Sequence, residues 1–253
     1  MTERRPPRPS DGQVPHRLMD DIHSERYVKG LFAEMARTYG VVNLVSSLGF
    51  AWWWRRQAVH GLPRDATAVA DLMTGGAECL RHLRSHLGPA VRVDLVDWCD
   101  AMCERARHTA SRLHPGGCQV VNASALELPA GDRSYDAISS TFGLKTLAEH
   151  EVPALAREIR RVLKPGGSFS LLEFSVPPNR LLRFFFRLYV RYYVPALGWI
   201  ALGNPDHYRL LWKYTSEFGS CGRYLDAFRD AGLEVELRRH FFGCATRLVG
   251  RAP

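Results

Sequence analysis

The chain has 253 residues, of which 46% are hydrophobic and 24% charged, with six cysteines and a net charge of +8. This length suits one α/β domain with a large buried core, and the cysteines lack the paired spacing of a metal site. The positive charge permits contact with an anionic membrane, but no nucleic-acid-binding motif accompanies it. We expect a cytoplasmic protein, with a peripheral membrane contact left open, and without a metal, a nucleic-acid partner or a membrane-spanning helix.

The first 25 residues are rich in Pro, Arg, Asp and Ser and contain no apolar run. A segment of this composition cannot offset its own ordering entropy, so we interpret residues 1–25 as a disordered arm and residues 26–253 as one domain. Apolar residues at three- and four-residue steps between 24 and 58 predict an amphipathic helix. A second helical piece holds Trp52, Trp53 and Trp54.

From residue 66 onward, short apolar runs alternate with helical segments of about ten residues. The predicted strands are 66–73, 91–96, 119–122, 135–140, 168–174, 234–240 and 244–250, and the predicted helices are 78–86, a segment through Met102 and Ala106, 152–163 and 221–231. This alternation indicates an α/β fold with a doubly wound, Rossmann-like, mostly parallel seven-stranded sheet. The last two strands complete it as an antiparallel pair.

Residues 180–202 differ in composition and read RLLRFFFRLYVRYYVPALGWIAL. Their arginines, at positions 180, 183, 187 and 191, follow a helical spacing that places them on one side of a helix with aromatic residues around the rest. We predict a helical lid or insertion over about 180–215. Two compatible interpretations remain open: an apolar face that closes a pocket, and a helix pair that also lies on a membrane surface or takes up a lipidic substrate.

A glycine pair and an acid mark a candidate nucleotide site. Residues 71–78 read DLMTGGAE, at a strand-to-helix turn where glycines let a ligand approach the backbone. Asp97 ends the next strand about twenty residues later, the spacing at which a carboxylate reaches a ribose hydroxyl. The alternative for Asp97 is an acid at a helix N-terminus. Residues 161–167, RVLKPGG, then close a helix with a turn that enters a strand.

With these motifs the chain resembles the UbiE/COQ5 family of class I S-adenosylmethionine-dependent methyltransferases, which methylate ring carbons of prenylated benzoquinols and naphthoquinols. The similarity covers roughly residues 27–249. It is carried by LFAEMARTYGVVN, DLMTGG, VDLVDWCDAM, ALELPAGDRSYDAI, TFGLK, REIRRVLKPGGSFSLLEFSVP and PDHYRLLWKYTSEFGS. VLKPGG is typical of many methyltransferases, whereas FGL, LEFS and DHYRLL are typical of this family.

The resemblance implies S-adenosylmethionine as cofactor and a set of residues around it. Asp71, Gly75 and Gly76 would lie under the methionine part, and Asp97 would hold the ribose. Met102 would face the adenine, with Ser124 beside its amine. The predicted cofactor site also includes Thr74, Trp98, Ala125 and Phe142.

Three residues are candidates for acting on the substrate. Glu173 ends a predicted strand, where ligands lie in open α/β sheets, although it could instead be a hydrogen-bond anchor behind the site. His207 and Tyr208 are candidate acid/base or orienting groups over the pocket, with ordinary helix residues as the alternative.

The chain also departs from the family pattern, at Ala77 where the family has glycine, Ser124 where it has an acid, Lys145-Thr146 where it has Arg-Asn, and Gly40 where it has an acid. These departures predict a weakened cofactor site, with the Ala77 methyl group close to the expected ligand path.

Three functions therefore stay open. The leading hypothesis is a methyltransferase that acts on a carbon or oxygen of an apolar aromatic acceptor, either prenylquinol-like or polyketide-like. The second is a cyclase or isomerase of the same fold that no longer transfers methyl, and the third is a non-catalytic lipid-binding or scaffold protein. Each is compatible with a homodimer.

Overall fold

The structure, a computed structural model, describes residues 28–31, 33, 47, 49–196 and 206–253, with the backbone alone for 206–210. The predicted arm at 1–25, Gly40, most of the predicted first helix and the 197–205 part of the predicted lid lie outside the described residues. The backbone at residues 28–31 and 33 is helical.

Seven strands form one sheet in the order β3-β2-β1-β4-β5-β7-β6. Their bounds are β1 Ala68–Leu72, β2 Arg92–Asp97, β3 Cys118–Asn122, β4 Tyr135–Thr141, β5 Leu163–Phe174, β6 Glu234–His240 and β7 Ala245–Arg251. The first five strands are parallel, and β7 pairs antiparallel with both β5 and β6. The predicted α/β, mostly parallel Rossmann-like fold is confirmed.

β1 lies between β2 and β4, so the strand order reverses at β1. In open α/β sheets, ligands bind at the carboxyl ends of the strands that flank such a switch point. The topology alone therefore places a candidate site where β1, β2 and β4 end.

β5 begins five residues before the predicted strand. Leu163 pairs with Tyr135 of β4, and the register then shifts between Tyr135 and Ala137 as the turn at 165–167 is accommodated. A Cβ atom at Gly167 would lie 2.8 Å from the carbonyl oxygen of Lys164, so this close approach requires glycine.

The helices lie on both faces of the sheet. Their bounds are α1 Phe50–Val59, α2 Leu80–Leu87, α3 Asp100–Leu113, α4 Val152–Val162, α5 Arg180–Leu188, α6 Asp206–Phe218 and α7 Leu225–Asp230. α2 begins two residues later than predicted because residues 75–79 form turns, and α7 is preceded by a 3-10 turn at Cys221–Tyr224.

Neighbouring side chains of β1 belong to two different hydrophobic clusters. Val69 packs in a cluster with residues of α1, α2 and α3, whereas Ala70 and Leu72 pack in a second cluster with residues of α4 and α7. Side chains on successive strand positions point to opposite faces, so β1 is buried from both sides. α4 fits this arrangement: Leu155, Ile159 and Val162 recur at helical spacing on its buried side.

The predicted lid begins with α5 and continues as a π-helical turn at Tyr189–Tyr193. Asn179 caps α5, because its side-chain oxygen accepts hydrogen bonds from the backbone N–H groups of Leu181 and Leu182, each at 3.0 Å. Phe186 and Val190 are buried against Cys244. Among the described residues, no helix is long and apolar enough to cross a bilayer.

Candidate active site

A crevice of about 470 Å³, measured with its open mouth, lies where β1, β2 and β4 end. Twelve residues line the crevice: Arg55, Met73, Thr74, Gly75, Glu78, Asp97, Trp98, Met102, Thr141, Phe142, Gly143 and Thr146. Six of them are predicted cofactor residues, namely Thr74, Gly75, Asp97, Trp98, Met102 and Phe142.

The loop after β1 forms the floor of the crevice through an unusual backbone. Met73, Gly75 and Ala77 all have positive φ angles, of 52°, 59° and 64°. Glycine adopts this conformation freely, but Met73 and Ala77 do so at a cost of roughly 1–2 kcal/mol each. The backbone N–H of Thr74 donates to the carbonyl oxygen of Val96, 3.0 Å away, which ties the loop to the end of β2.

Asp97 joins the loop to the start of α3. One carboxylate oxygen accepts from the backbone N–H of Gly75 at 2.8 Å, and the other from that of Cys99 at 3.0 Å. Asp97 therefore fits both interpretations. It is an acid at the N-terminus of α3, because it binds the N–H of Cys99, and its carboxylate also lines the crevice. Each oxygen retains a lone pair for a further donor. Burial raises the pKa of Asp97 to about 6.

Asp71 is fully buried beneath the loop and does not line the crevice. Its carboxylate accepts hydrogen bonds from the hydroxyl groups of Thr74 at 2.6 Å and Ser139 at 2.5 Å. Burial raises the pKa of this carboxyl to about 6, against the effect of the two hydroxyls. Asp71 is thus placed to orient Thr74 rather than to contact a ligand.

The opposite wall comes from residues 141–146 at the end of β4. Phe142 has a φ of 66° and donates its backbone N–H to the carbonyl oxygen of Leu172 at 2.9 Å. A Cβ atom at Gly143 would lie 2.6 Å from the Cβ of Met73, so the two loops approach as closely as glycine allows. Trp98 and the buried Met102 add an apolar wall beside Asp97.

Glu173 is fully buried behind this wall and does not line the crevice. Its Oε1 accepts from Lys145 Nζ at 2.8 Å and from the backbone N–H of Phe174 at 2.7 Å, and its Oε2 accepts from the backbone N–H of Lys145 at 3.2 Å. Lys145 Nζ also donates to the carbonyl oxygen of Phe142 at 3.0 Å. These contacts favour the alternative for Glu173, a hydrogen-bond anchor that holds residues 142–145.

Three other predicted cofactor residues lie outside the lining. The hydroxyl of Ser124 accepts from the backbone N–H of Leu126 at 3.2 Å, and Ala125 packs in the core. The backbone N–H of Gly76 is bonded to the Glu78 carboxylate at 3.0 Å. These three residues take part in turns and core packing around the crevice, and their contact with the cofactor stays a prediction.

Ala77 also lies outside the lining. It is buried in the apolar cluster with Cys79, Leu80 and Leu83. The expectation that its methyl group lies close to the ligand path is therefore wrong, because that group packs in the core. The consequence of this departure from glycine is backbone strain, since the φ angle is positive.

His207 and Tyr208 lie in the first turn of α6, with side chains outside the described part of the chain. α6 contacts the 3-10 turn at Leu144–Thr146, which follows the crevice wall. Both remain predictions.

Six lining residues were missed by the sequence analysis: Arg55, Met73, Glu78, Thr141, Gly143 and Thr146. A signal existed for Arg55, which falls on the same side of α1 as the buried Ala51 and Ala58 at helical spacing. An arginine on the buried side of a helix is unusual and marks a polar site.

Comparisons with known proteins identify the family. Residues 19–251 match the ubiE/COQ5 methyltransferase family. The chain is 33% identical over 224 residues to a demethylmenaquinone methyltransferase of Deinococcus radiodurans, covering 88% of this chain and 91% of that protein. It is 32% identical over 226 residues to one of Thermus thermophilus, covering 88% and 100%.

Among solved structures, the fold is similar to that of an S-adenosylmethionine-dependent methyltransferase from Thermotoga maritima, described as a possible histamine N-methyltransferase. The TM-score is 0.61 at 18% identity, with 88% of this chain and 99% of that chain covered. The family match over nearly the whole chain, together with the crevice at the β1 switch point, leads to one conclusion. The chain belongs to the ubiE/COQ5 methyltransferase family and is an S-adenosylmethionine-dependent methyltransferase.

Proposed function

We propose that this enzyme methylates a ring carbon of an apolar aromatic acceptor of the prenylated quinol class. The observation that carries the proposal is the crevice where the buried carboxylate of Asp97 meets an apolar wall, in a chain similar throughout to demethylmenaquinone methyltransferases. The names of the relatives support this acceptor class, and the crevice supports a place for the chemistry.

The residues present fit the cofactor. Asp97 has lone pairs for the ribose hydroxyls, and Trp98 and Met102 offer an apolar surface for adenine. Thr74 and Gly75 face the crevice from the loop after β1. S-adenosylmethionine, when bound, supplies a methyl group already activated by the sulfonium. The protein's contribution is therefore mainly to position the acceptor and exclude water.

An aromatic layer on the other side of Phe142 suits an apolar acceptor. The ring of Phe142 lies 5.1 Å from that of Phe174, and Phe174 lies 5.1 Å from Trp54, measured between ring centroids. Phe174 also packs against the cluster of Phe186 beneath α5. Packed aromatic rings thus run from the crevice wall to the underside of α5.

Methylation of a quinol carbon requires that a proton leave the acceptor. Within the described residues, Glu173 is bonded to Lys145 and does not touch the crevice, which supports a positioning role. On the helix that contacts residues 144–146, His207 is the proposed proton acceptor and Tyr208 the proposed orienting group.

The outer side of α5 supports delivery of such an acceptor from a membrane. Its exposed apolar residues are Leu181 (68%), Phe184 (56%), Phe185 (57%) and Leu188. Arg180 and Arg187 border this stripe, while Leu182 and Phe186 face the core. A helix with an outward apolar stripe beside cations is typical of helices that lie at a lipid interface.

A second exposed element is the turn between β6 and β7. Phe241 and Phe242 both have positive φ angles, of 45° and 54°, and Phe242 is 76% exposed. Strained backbone that holds an aromatic ring in water costs stability and is more often found at functional positions. We call the exposed residues Leu181, Phe184, Phe185, Leu188, Phe241 and Phe242 the aromatic surface, and propose that it contacts an anionic membrane.

The reaction is tested with S-adenosylmethionine labelled in its methyl group and a naphthoquinol that carries a short prenyl chain and an unsubstituted ring position. The proposal predicts labelled product with a new carbon–methyl bond, formation of S-adenosylhomocysteine, and loss of both in Asp97→Ala. A product methylated on oxygen would show that the acceptor atom is an oxygen and not a ring carbon. Binding of the cofactor without any S-adenosylhomocysteine, across quinol and polyketide-like acceptors, would favour the cyclase or isomerase alternative.

A further inference from the structure

Arg55 is a buried cation to which the described part of the chain offers neither a hydrogen-bond acceptor nor an anion. It lies on α1, lines the crevice and is 7% exposed. Its Nε is buried and has no hydrogen-bond partner, and its guanidinium lies 4.9 Å from the centre of the Phe142 ring. Among the described lining residues it is the single cation.

The carboxylates around Arg55 have other partners. Asp71 accepts from Thr74 and Ser139, and Asp97 accepts from Gly75 and Cys99. Glu78 is paired with Arg105 at 3.4 Å. A guanidinium taken out of water without a paired anion is costly, so its retention at the wall of a crevice points to an anionic ligand.

The position of Arg55 indicates which anion it meets. It lines the crevice together with Thr74, Gly75 and Glu78, which lie on the loop after β1. Arg55 therefore lies beside the loop that carries Thr74, Gly75 and Glu78, with its guanidinium over Phe142, the residue at which the crevice meets the aromatic layer. The planar fork of a guanidinium matches a carboxylate through two parallel hydrogen bonds.

We infer that Arg55 binds the carboxylate of the amino-acid end of S-adenosylmethionine and so fixes the cofactor's orientation. Glu78, whose Oε2 accepts from the backbone N–H of Gly76 and whose Oε1 lies 3.4 Å from Arg105, lines the same crevice and supplies a negative charge for the ammonium group. Opposite charges on two neighbouring walls suit a zwitterion. This inference rests on the proposed function and deepens it by assigning a residue to one group of the cofactor.

The test compares two ligands that differ by one group. S-adenosylmethionine and its decarboxylated form share the nucleoside, the sulfonium and the amine, so the difference in their affinities reports on the carboxylate. Calorimetric titration of both into wild type, Arg55→Met and Arg55→Lys isolates the contribution of the guanidinium. Arg56→Met is the matched control, because Arg56 is the next residue of α1 and is exposed.

Arg55→Met is expected to weaken S-adenosylmethionine by about 10- to 100-fold and to leave the decarboxylated form within about threefold. Arg55→Lys should weaken S-adenosylmethionine less, because it retains the charge but not the fork. Arg56→Met should change neither. The melting temperature of unliganded Arg55→Met should equal or exceed that of wild type, since an unpaired buried charge is removed.

Equal weakening of both ligands in Arg55→Met would overturn the inference, because Arg55 would then act only by supporting the crevice wall. Unchanged affinity for S-adenosylmethionine would place its carboxylate elsewhere. Should the methionine variant fail to fold, the same comparison in Arg55→Lys decides, with selective loss for S-adenosylmethionine expected. Failure of wild type to bind either ligand would instead contradict the proposed function itself.

Discussion

The crevice and the aromatic surface distribute polar and apolar groups in opposite ways. The crevice region buries charged side chains, including Arg55, Asp71 and Asp97, whereas α5 exposes Phe184 and Phe185. The free energy of folding alone would favour exposed charges and buried rings, because buried charges lose hydration and exposed rings retain contact with water. The comparison suggests that each region is completed by something bound: a charged, hydroxyl-bearing ligand inside and an apolar partner outside.

The two regions are connected. Phe142 belongs to the crevice wall, Phe174 packs against it, and Phe174 also contacts the Phe186 cluster beneath α5. A cofactor held at the polar end and an acceptor arriving from the apolar end would therefore meet near Phe142. The following experiments disturb one region while the other serves as reference.

The largest expected effect comes from breaking the buried pair behind the crevice. Lys145→Met should lower the free energy of unfolding by about 3–5 kcal/mol, because it leaves the fully buried Glu173 carboxylate without its counter-ion. Chemical denaturation measures the loss. The double variant Lys145→Met with Glu173→Leu should recover part of it, and a single variant as stable as wild type would show that Glu173 is not held as a charge.

The pH dependence of stability tests the crevice and not the aromatic surface, because the aromatic surface consists of Leu and Phe side chains, which do not titrate. Burial raises the pKa of Asp97 to about 6, so the folded protein retains a proton between pH 4 and 6 that the unfolded chain has released. The stability contributed by this carboxyl is therefore lost as the pH rises through that window.

Ligand binding should show the opposite trend with pH, because the ribose hydroxyls favour the carboxylate form. Affinity for S-adenosylhomocysteine should rise by about tenfold from pH 5 to pH 7. Titrations at several pH values measure it, and Asp97→Asn should remove most of the dependence. The same slope in that variant would assign the proton to another group.

The aromatic surface is tested with Phe184→Ser and Phe185→Ser combined. Both rings are more than half exposed, so the free energy of unfolding should change by less than about 1 kcal/mol, while affinity for anionic vesicles should fall by about tenfold. Vesicle sedimentation at low and high salt measures binding. Arg180→Gln with Arg187→Gln should reduce the salt dependence, and absence of wild-type binding at low salt would remove the membrane proposal.

The smallest effect is expected at Ala77. Ala77→Gly should relieve roughly 1–2 kcal/mol of backbone strain and lose roughly 1 kcal/mol of methyl burial, so stability should change little. Affinity for S-adenosylhomocysteine should stay within about threefold, because the methyl group packs in the core. Tenfold tighter binding would show that this methyl group does crowd the ligand.

The fold was predictable because its strands carry their own signals. Apolar runs with turn residues between them located every strand, and the error at β5 arose from pairing of Leu163 with Tyr135, which depends on a distant segment. The site was predictable where its geometry is local, as for Gly75 and Asp97 at the ends of adjacent strands. Arg55 and Gly143 were missed because tertiary packing brings them there from α1 and from the end of β4.

Sequence patterns also left the orientation of α5 undecided. Apolar residues occupy both the side that packs on the core, with Leu182 and Phe186, and the side that faces outward, with Phe184 and Phe185. Spacing identifies a helix but cannot choose between two apolar sides. Only the position of Cys244 and Phe174 beneath the helix decides which side is buried.

The most direct test of the account is calorimetric titration of S-adenosylhomocysteine into wild type, Asp97→Ala and Asp100→Ala. Asp100 is the matched control, an exposed acid three residues away at the first position of α3. We predict one site per chain, an affinity weaker by about 1–3 kcal/mol in Asp97→Ala, and no change in Asp100→Ala. Unchanged affinity in a folded Asp97→Ala variant would contradict the assignment of the crevice as the cofactor site.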